Sequence, residues 1–299
     1  GQEGRQAANN ADFAIGQFKY LKRLLLVHGR WNYIRQANVF LYSLHKNAVI
    51  TFLLYWFCYF TSVSGSTPFQ SYIYSAYNIA LGLPIIFYGI LDRDLPDDFV
   101  ERNPQVYETG QKNEILGTEN MIGWTLNVLC YAIILSLLFY YAAYDSFTND
   151  AIFIAGTVVF QGLVLSLQTK VIFMHNQWAY PQVLCMLISI TGMFWFYPLV
   201  QTFNYDTFYM AAGYLYTVKS FWFLGSFTAP MITMIFEAIV YYGRLLFYPS
   251  REMLFRELYH RVRFLDSEYL PLANTDITDI PVKPMSPTNS KPNSFDDMQ

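Results

Sequence analysis

Three polar side chains inside long apolar stretches are the residues of this sequence best placed to do chemistry, and two of them are adjacent. Lys46 and Asn47 lie about eight residues into the first such stretch, or about 12 Å at the helical rise. A lysine near the centre of a membrane helix costs about 2.5–3.5 kcal/mol on insertion scales, so it needs a role. Lys46 is either a fixed cation beside a polar pathway, attracting a phosphate or carbonyl group, or a lysine that snorkels back to the aqueous surface.

The third side chain, Asn78, lies near the middle of the second apolar stretch, shortly before a point at which a helix should bend. Pro84 lacks a backbone donor and frees a carbonyl one turn earlier, and Gly82 makes bending easier. A polar side chain just before such a kink can line a pathway through the membrane. The alternative is an interhelical hydrogen bond, worth about 0.6–2 kcal/mol.

Glu237 is the one carboxylate within the apolar stretches. It precedes Arg244 by seven residues and so lies at a depth similar to that of Lys46. Glu237 either forms an ion pair with Lys46 or has an unrelated structural role. Three further polar residues, on the fourth stretch, are expected to serve packing and the cytosolic rim: Gln161, Gln168 and Lys170. Since cation transport needs several hard oxygen ligands, a pathway of lysine and asparagine suits a substrate that carries a phosphate.

The composition of the chain indicates that membrane-embedded segments position these residues. The chain has 299 residues, of which 54% are hydrophobic and 14% charged, and soluble domains have about 25% charged residues. Seven charges fall between Met121 and Ser250, so lipid must solvate most of the chain. This excludes a soluble enzyme domain, and the net charge of −3 gives no reason to expect a nucleic-acid partner. The three cysteines lie in apolar stretches, and the sequence contains no zinc pattern, glycine-rich phosphate loop or nucleophile elbow.

Six apolar stretches are long enough for a membrane-spanning helix, which needs about 20 residues. They cover residues 38–62, 69–91, 121–143, 151–172, 180–200 and 220–243. Barrel strands would alternate over about ten residues, and no such pattern occurs. We therefore predict an all-α polytopic membrane protein with six transmembrane helices. Lysine and arginine concentrate at both ends and in one set of loops, which predicts that both termini face the cytosol.

The segments that flank the spans differ in composition. Residues 1–15 are mixed polar, as at the edge of a soluble domain, and 19–37 are basic with leucines at helical spacing, which predicts a connector helix. Between the second and third spans, the acidic run 92–98 is expected to be exposed to water. Residues 247–274 form a predicted cytosolic post-membrane segment, and 275–299 are predicted to be a disordered tail. The chain opens without an initiator methionine or signal peptide, so we expect it to be part of a longer protein.

Several strings in the sequence are specific enough to indicate a family. They are Gly1-Gln2-Glu3-Gly4-Arg5-Gln6-Ala7, Asp12-Phe13-Ala14-Ile15-Gly16-Gln17-Phe18, Tyr20-Leu21-Lys22-Arg23-Leu24-Leu25-Leu26-Val27-His28-Gly29-Arg30-Trp31, Lys46-Asn47, Tyr77-Asn78 with Leu83-Pro84, Gly89-Ile90-Leu91-Asp92-Arg93-Asp94 and Pro104-Gln105-Val106-Tyr107-Glu108-Thr109-Gly110-Gln111-Lys112-Asn113. Over roughly residues 1–260 the chain resembles the type IV P-type ATPases, the phospholipid flippases. It departs from the pattern where Leu167-Gln168-Thr169-Lys170 stands in place of an expected Asn-Leu-Lys, and again over residues 114–118.

The resemblance implies that residues 1–18 end a phosphorylation domain and that 38–246 are helices five to ten of a ten-helix flippase. It implies a parent enzyme that uses ATP and Mg²⁺ to move phospholipid from the outer or lumenal leaflet to the cytosolic leaflet. The phosphorylated Asp and the nucleotide domain would lie outside this chain, which would therefore hold no catalytic residue, metal or cofactor and could not hydrolyse ATP alone. Lys46, Asn47 and Asn78 map onto the lipid-handling region.

The resemblance also implies a partner, a small two-span glycosylated accessory β-subunit, and a location in the plasma membrane or the Golgi and endosomal system. A self-contained six-span channel or scaffold is the alternative from another class of protein. A cation pump of the same superfamily is disfavoured because the first two spans lack carboxylates.

Overall fold

The computed structural model describes residues 2–63, 65–69, 71–144, 151–203 and 225–268. Within these ranges the chain forms helices and turns and contains no strand. The α-helices are α1 (Gln2–Asn10), α2 (Tyr20–Arg23), α3 (Arg30–Phe60), α4 (Ser71–Leu91), α5 (Asp97–Arg102), α6 (Glu108–Gln111), α7 (Thr118–Tyr144), α8 (Ala151–Met174), α9 (Tyr180–Phe203), α10 (Thr228–Phe247) and α11 (Arg251–Glu268). A π-helix, Leu24–Gly29, joins α2 to α3, and a 3₁₀ helix, Pro104–Tyr107, precedes α6.

The predicted all-α membrane class is confirmed by the helices that are long and apolar enough to cross a bilayer. Among the described residues these are the windows Tyr74–Leu91, Thr118–Tyr140, Ala155–Met174 and Thr228–Phe247. The first predicted span lies in α3, which is long enough at 31 residues but carries more polar side chains. The fifth lies in α9, where Tyr180–Gly192 is a shorter apolar helix. For these two helices the crossing stays a prediction, and the predicted tail, 275–299, lies outside the described residues.

The helix α8 is the centre of the bundle. Within the window Ala155–Met174, 72% of the residues are buried, against 17% in the α10 window. The core formed around it joins residues of α3, α4, α7 and α8, among them Leu81, Tyr131 and Phe160. At Gly156 a Cβ atom would overlap the carbonyl of Pro68, so only glycine lets the turn before α4 approach α8 this closely.

The basic connector runs without a break into α3. The backbone stays right-handed helical at both junctions, with φ −59° and ψ −46° at Leu24 and φ −61° and ψ −45° at Gly29. The residues from Tyr20 to Phe60 therefore form one helical rod, in which the π-helix is a local change of hydrogen-bond pattern rather than a hinge loop.

The loop after α4 is clamped to this rod. Arg30 donates to the Asp94 carboxylate at 2.5 Å and to the carbonyl of Val106 at 2.6 Å. The indole of Trp31 donates to the Leu95 carbonyl at 3.0 Å, and an ion pair joins Arg23 to Asp97. The connector and the loop are thus held together by side chains more than 60 residues apart in the sequence.

The prediction that the acidic run 92–98 is exposed to water was wrong for Asp92 and Asp94, although Arg93 between them is exposed. The Asp92 residue and the Asp94 side chain are each 1% exposed. Asp92 accepts hydrogen bonds from the backbone and side-chain nitrogens of Asn176 and from the backbone of Gln177, at 2.8–3.1 Å. The carboxylates are buried because a guanidinium and the turn between α8 and α9 supply donors that replace water.

Candidate functional site

The helices α3 and α4 bring Lys46 and Asn78 into direct contact. Lys46 Nζ donates to Asn78 Oδ1 at 3.0 Å, and the Tyr77 hydroxyl donates to the backbone carbonyl of Lys46 at 2.7 Å. The ammonium also lies 5.6 Å from the centroid of the Tyr77 ring, within cation–π range. The two adjacent residues of α4 therefore hold both the side chain and the backbone of Lys46.

This pair lies between the interior and the surface of the described bundle. Lys46 is 9% exposed, whereas Asn47 and Asn78 are both exposed. Exposed apolar residues lie on the same two helices, such as Leu44 on α3 and Ile79 on α4. The arrangement is a polar patch, Lys46, Asn47 and Asn78, set in an apolar face.

The structure brings together only two of the three predicted pathway residues. Asn78 makes an interhelical hydrogen bond, which was the predicted alternative to a role in a pathway. The donor of this bond is Lys46. Asn47 follows Lys46 on α3, and its backbone carbonyl accepts from Thr51 at 2.7 Å. None of the ion pairs found among the described residues includes Lys46, so its charge is balanced there by an amide dipole and a ring face alone.

Glu237 of α10 pairs with Lys170 of α8 and not with Lys46. Both carboxylate oxygens lie 2.9 Å from Lys170 Nζ, which is also 4.6 Å from the centroid of the Trp124 ring. The expectation that Lys170 serves packing agrees with its side chain being only 10% exposed, and its place at the cytosolic rim stays a prediction. Lys170 is buried because α7 and α10 cover this part of the central helix α8.

Asn127 of α7 links this ion pair to the residue before Lys46. Its Nδ2 donates to Glu237 at 2.8 Å, and its Oδ1 lies 2.7 Å from His45 Nε2. Since the Asn127 amide nitrogen is already donating, its oxygen faces the ring, and His45 Nε2 must carry the proton. Four helices, α3, α7, α8 and α10, are thus joined by one buried polar network beside the candidate site.

Sequence reasoning also missed the role of Gln168. It is buried on α8 and donates to the Ala80 carbonyl of α4 at 3.2 Å. Ala80 is the residue four before Pro84, whose carbonyl the proline was predicted to free. A buried carbonyl needs a hydrogen-bond donor, and a glutamine on an apolar helix can supply one. This pattern could have suggested Gln168 as the donor to the carbonyl that Pro84 frees. The other predicted packing residue, Gln161, is buried as well.

The described residues offer no metal site. Within ranges 2–63, 65–69, 71–144, 151–203 and 225–268, no three His, Cys, Asp or Glu side chains lie close enough together to hold a metal ion.

Comparison with known proteins points to one family. Residues 8–250 match the model described as "Phospholipid-translocating P-type ATPase C-terminal". Phospholipid-transporting ATPase C887.12 of Schizosaccharomyces pombe is 29% identical over 273 residues, which cover 86% of this chain and 21% of that protein. Phospholipid-transporting ATPase DRS2 of Saccharomyces cerevisiae is 32% identical over 67% of this chain and 15% of that protein. Human phospholipid-transporting ATPase VA is 44% identical over 115 residues, 38% of this chain and 8% of that protein.

The chain spans about a fifth or less of the length of the relatives it matches: 21%, 15% and 8% of the three named above. The similarity to the first two runs through most of the chain, at 86% and 67%.

Proposed function

Because the chain belongs to the phospholipid-translocating P-type ATPases, we propose that it forms part of the membrane domain of an ATP-driven flippase. The flippase moves phospholipid from the outer or lumenal leaflet to the cytosolic leaflet. The names of the relatives support this activity, and none of the matches reported above is a channel or a scaffold.

The observation that carries the proposal is the Lys46–Asn78 pair in an apolar face. An ammonium has three donors, and Asn78 uses one of those of Lys46, so the others are free for phosphate oxygens. The Asn78 amide nitrogen and the neighbouring Asn47 add neutral donors. Because no carboxylate neutralises Lys46 among the described residues, a phosphate in this low-dielectric setting would be attracted more strongly than in water. The acyl chains of the lipid would stay against the exposed apolar residues of α3 and α4.

The helical rod provides the path by which energy reaches this site. A phosphorylation cycle in a cytosolic domain would tilt the rod, and Lys46 and Asn47 would alternately meet and release a headgroup. Glu237 would contribute by coupling, since it joins α10 to α3 through Asn127 and His45. Residues 1–18 would belong to the phosphorylation domain, and Mg²⁺ and ATP would bind in other parts of the longer protein.

The remaining assignments follow from charge and from family membership. Both termini would face the cytosol, because lysine and arginine concentrate in the connector, in the loop between α4 and α7 and after α10 in the sequence. A two-span glycosylated β-subunit is the proposed partner. The plasma membrane or the Golgi and endosomal system is the proposed location.

The test uses the full-length parent protein, purified with its partner and assayed for ATPase activity against phospholipid concentration. Lys46→Ala removes the ammonium, and we expect the lipid concentration for half-maximal stimulation to rise about tenfold, the effect of losing one charge-assisted hydrogen bond. Lys112→Ala, at an exposed ion pair in the α4–α7 loop, is the matched control and should leave this concentration unchanged. An unaltered lipid dependence in Lys46→Ala would remove Lys46 from the pathway.

A further inference from the structure

Pro84 leaves one carbonyl of α4 without its helical donor. In an α-helix the N–H of residue 84 would donate to the carbonyl of Ala80, and proline has no N–H. Side chains from two other helices take that place. Gln168 of α8 donates from Nε2 to Ala80 O at 3.2 Å, and the Ser189 hydroxyl of α9 donates to the same oxygen.

These three groups satisfy one another. Gln168 Nε2 also lies 2.5 Å from Ser189 Oγ, so one of its N–H groups is shared between that oxygen and the Ala80 carbonyl, and the hydroxyl proton of Ser189 is directed at Ala80. Both lone pairs of the Ala80 carbonyl are therefore occupied. Gln168 and Ser189 are 1% and 4% exposed, so neither can turn to water.

Stability alone does not account for a glutamine at position 168. Its Oε1 is buried without a hydrogen-bond partner among the residues the structure describes, and an unpaired buried acceptor is destabilising. The Ser189 hydroxyl by itself could satisfy the carbonyl. An apolar side chain of similar volume would avoid the unpaired oxygen, so the second donor points to a role beyond folding.

The anchored carbonyl lies next to the candidate site. Ala80 is two residues beyond Asn78, and at about 100° per residue it faces the opposite side of α4. On the first side, Tyr77 and Asn78 bind Lys46 of α3. On the second side, Ala80 is held by α8 and α9. One turn of α4 is thus fixed from both sides, directly before its proline.

We propose that Gln168 and Ser189 are positioning residues of the lipid pathway. By binding the carbonyl that Pro84 frees, they fix this turn of α4 against α8 and α9 and hold Asn78 opposite Lys46. The proposal rests on the proposed function, because it assigns these residues to the same site. Neither residue touches Lys46 or the headgroup, so their effect falls on the affinity for lipid through Asn78 and not on the rate of ATP hydrolysis.

The experiment measures ATPase activity against phospholipid concentration in the full-length parent. Gln168→Met keeps the volume and removes both donors, and Ser189→Ala removes one hydroxyl. We expect the lipid KM to rise about five- to tenfold in Gln168→Met and less in Ser189→Ala, with kcat within about twofold of the parent value. Gln161→Met is the matched control, since Gln161 is equally buried on the same helix, and it should leave the lipid KM unchanged.

A second variant separates positioning from packing. Pro84→Ala restores the N–H that binds Ala80 O, so adding Gln168→Met to Pro84→Ala should change the lipid KM no further. Independent, multiplying effects of the two substitutions would overturn the proposal. So would a normal lipid KM in both Gln168→Met and Ser189→Ala while Lys46→Ala raises it, and that result would leave the proposed function intact. Ser189→Ala, the smaller change, decides the matter if Gln168→Met fails to fold.

Discussion

Glu237 binds Lys170 with both of its carboxylate oxygens at 2.9 Å, and through Asn127 the same carboxylate is joined to His45. His45 is the residue before Lys46. The ion pair therefore helps to set the rotation of α3 about its axis at Lys46. The carboxylate thus acts on the candidate site from a distance of two hydrogen bonds. Removal of the charge of Lys170 or of Glu237 should therefore lower the stability of the fold more than it alters the candidate site.

The first prediction concerns this pair. Lys170→Met or Glu237→Gln alone leaves a buried charge without its partner, which should destabilise the protein by about 3–5 kcal/mol. The double variant Lys170→Met/Glu237→Gln leaves no uncompensated charge and should recover most of that loss. Thermal unfolding of the full-length protein in detergent, followed by tryptophan fluorescence, measures the effect. Lys112→Met, which breaks an exposed pair, should change stability by less than about 1 kcal/mol.

The interpretation fails if the double variant loses as much stability as the two single variants together. Additive losses would mean that the two side chains act independently, whatever their distance in the structure.

The second prediction concerns the clamp between the connector and the loop. Asp94→Asn leaves the Arg30 guanidinium, whose side chain is 1% exposed, without its counter-charge and weakens the attachment of the loop. The polar patch is untouched, so we expect the maximal lipid-stimulated ATPase rate to fall about five- to tenfold with little change in lipid KM. Asp97→Asn, at the more exposed pair with Arg23, should lower the rate by less than about twofold. A raised lipid KM with an unaltered maximal rate would instead place Asp94 in substrate binding.

The third prediction concerns the close approach at Gly156. Gly156→Ala places a methyl group against the Pro68 carbonyl, so the turn before α4 must move away from α8. We expect a loss of about 1–3 kcal/mol, typical of overpacking, measured as a lower Tm. Gly192→Ala in α9, where nothing lies within 4 Å, is the opposite case and should be neutral or gain up to about 1 kcal/mol in helix propensity. Equal effects at the two glycines would contradict the tight packing at Gly156.

The fourth prediction concerns pH. Lys112, by its hydrogen bond and charge, and then Arg251 lower the pKa of Glu108 below its usual value. Because the pKa is lower in the folded state, the contribution of these pairs to stability is complete above about pH 4.3, the unfolded value, and is lost as the pH falls through the folded pKa. Hydrogen exchange at the start of α11, corrected for intrinsic rates, should show less protection at pH 3 than at pH 6. The change should be less than about fivefold, since the pairs are exposed.

One variant and one solution condition test whether Glu108 causes this pH effect. Glu108→Gln should reduce the difference between the two pH values and leave the part due to Glu114, which also pairs with Arg251. Salt at 1 M should reduce the difference as well, because exposed charges are screened. A pH effect of the same size in Glu108→Gln would assign it to another group.

The features that could be predicted from the sequence are those that depend on neighbouring residues in the chain. Helical membrane segments follow from apolar length, and the freed carbonyl follows from the position of Pro84 alone. The partners of that carbonyl, Gln168 and Ser189, could not be predicted, because they depend on which helices flank α4. Hydropathy does not distinguish a central helix from a peripheral one, so the buried ion pair of Lys170 with Glu237 could not be predicted.

The same limit explains the error at Asp92 and Asp94. A run of charges at a loop has the composition of a solvated segment, and its burial depends on donors that lie more than 60 residues away, on Arg30 and Asn176. Lys46 and Asn78 were predicted as members of one pathway from their residue types. Their direct hydrogen bond depends on the register of α3 against α4, which no local pattern contains.

The unbroken rod from Tyr20 to Phe60 has a mechanical consequence. It is gripped near Arg30, about 15 Å from its beginning and about 24 Å from Lys46 at the helical rise. A stiff lever with its fulcrum there carries a displacement of its short arm to its long arm enlarged about 1.6-fold. A displacement of a few ångströms at the start of the rod therefore becomes a larger displacement, in the opposite direction, of the Lys46 ammonium.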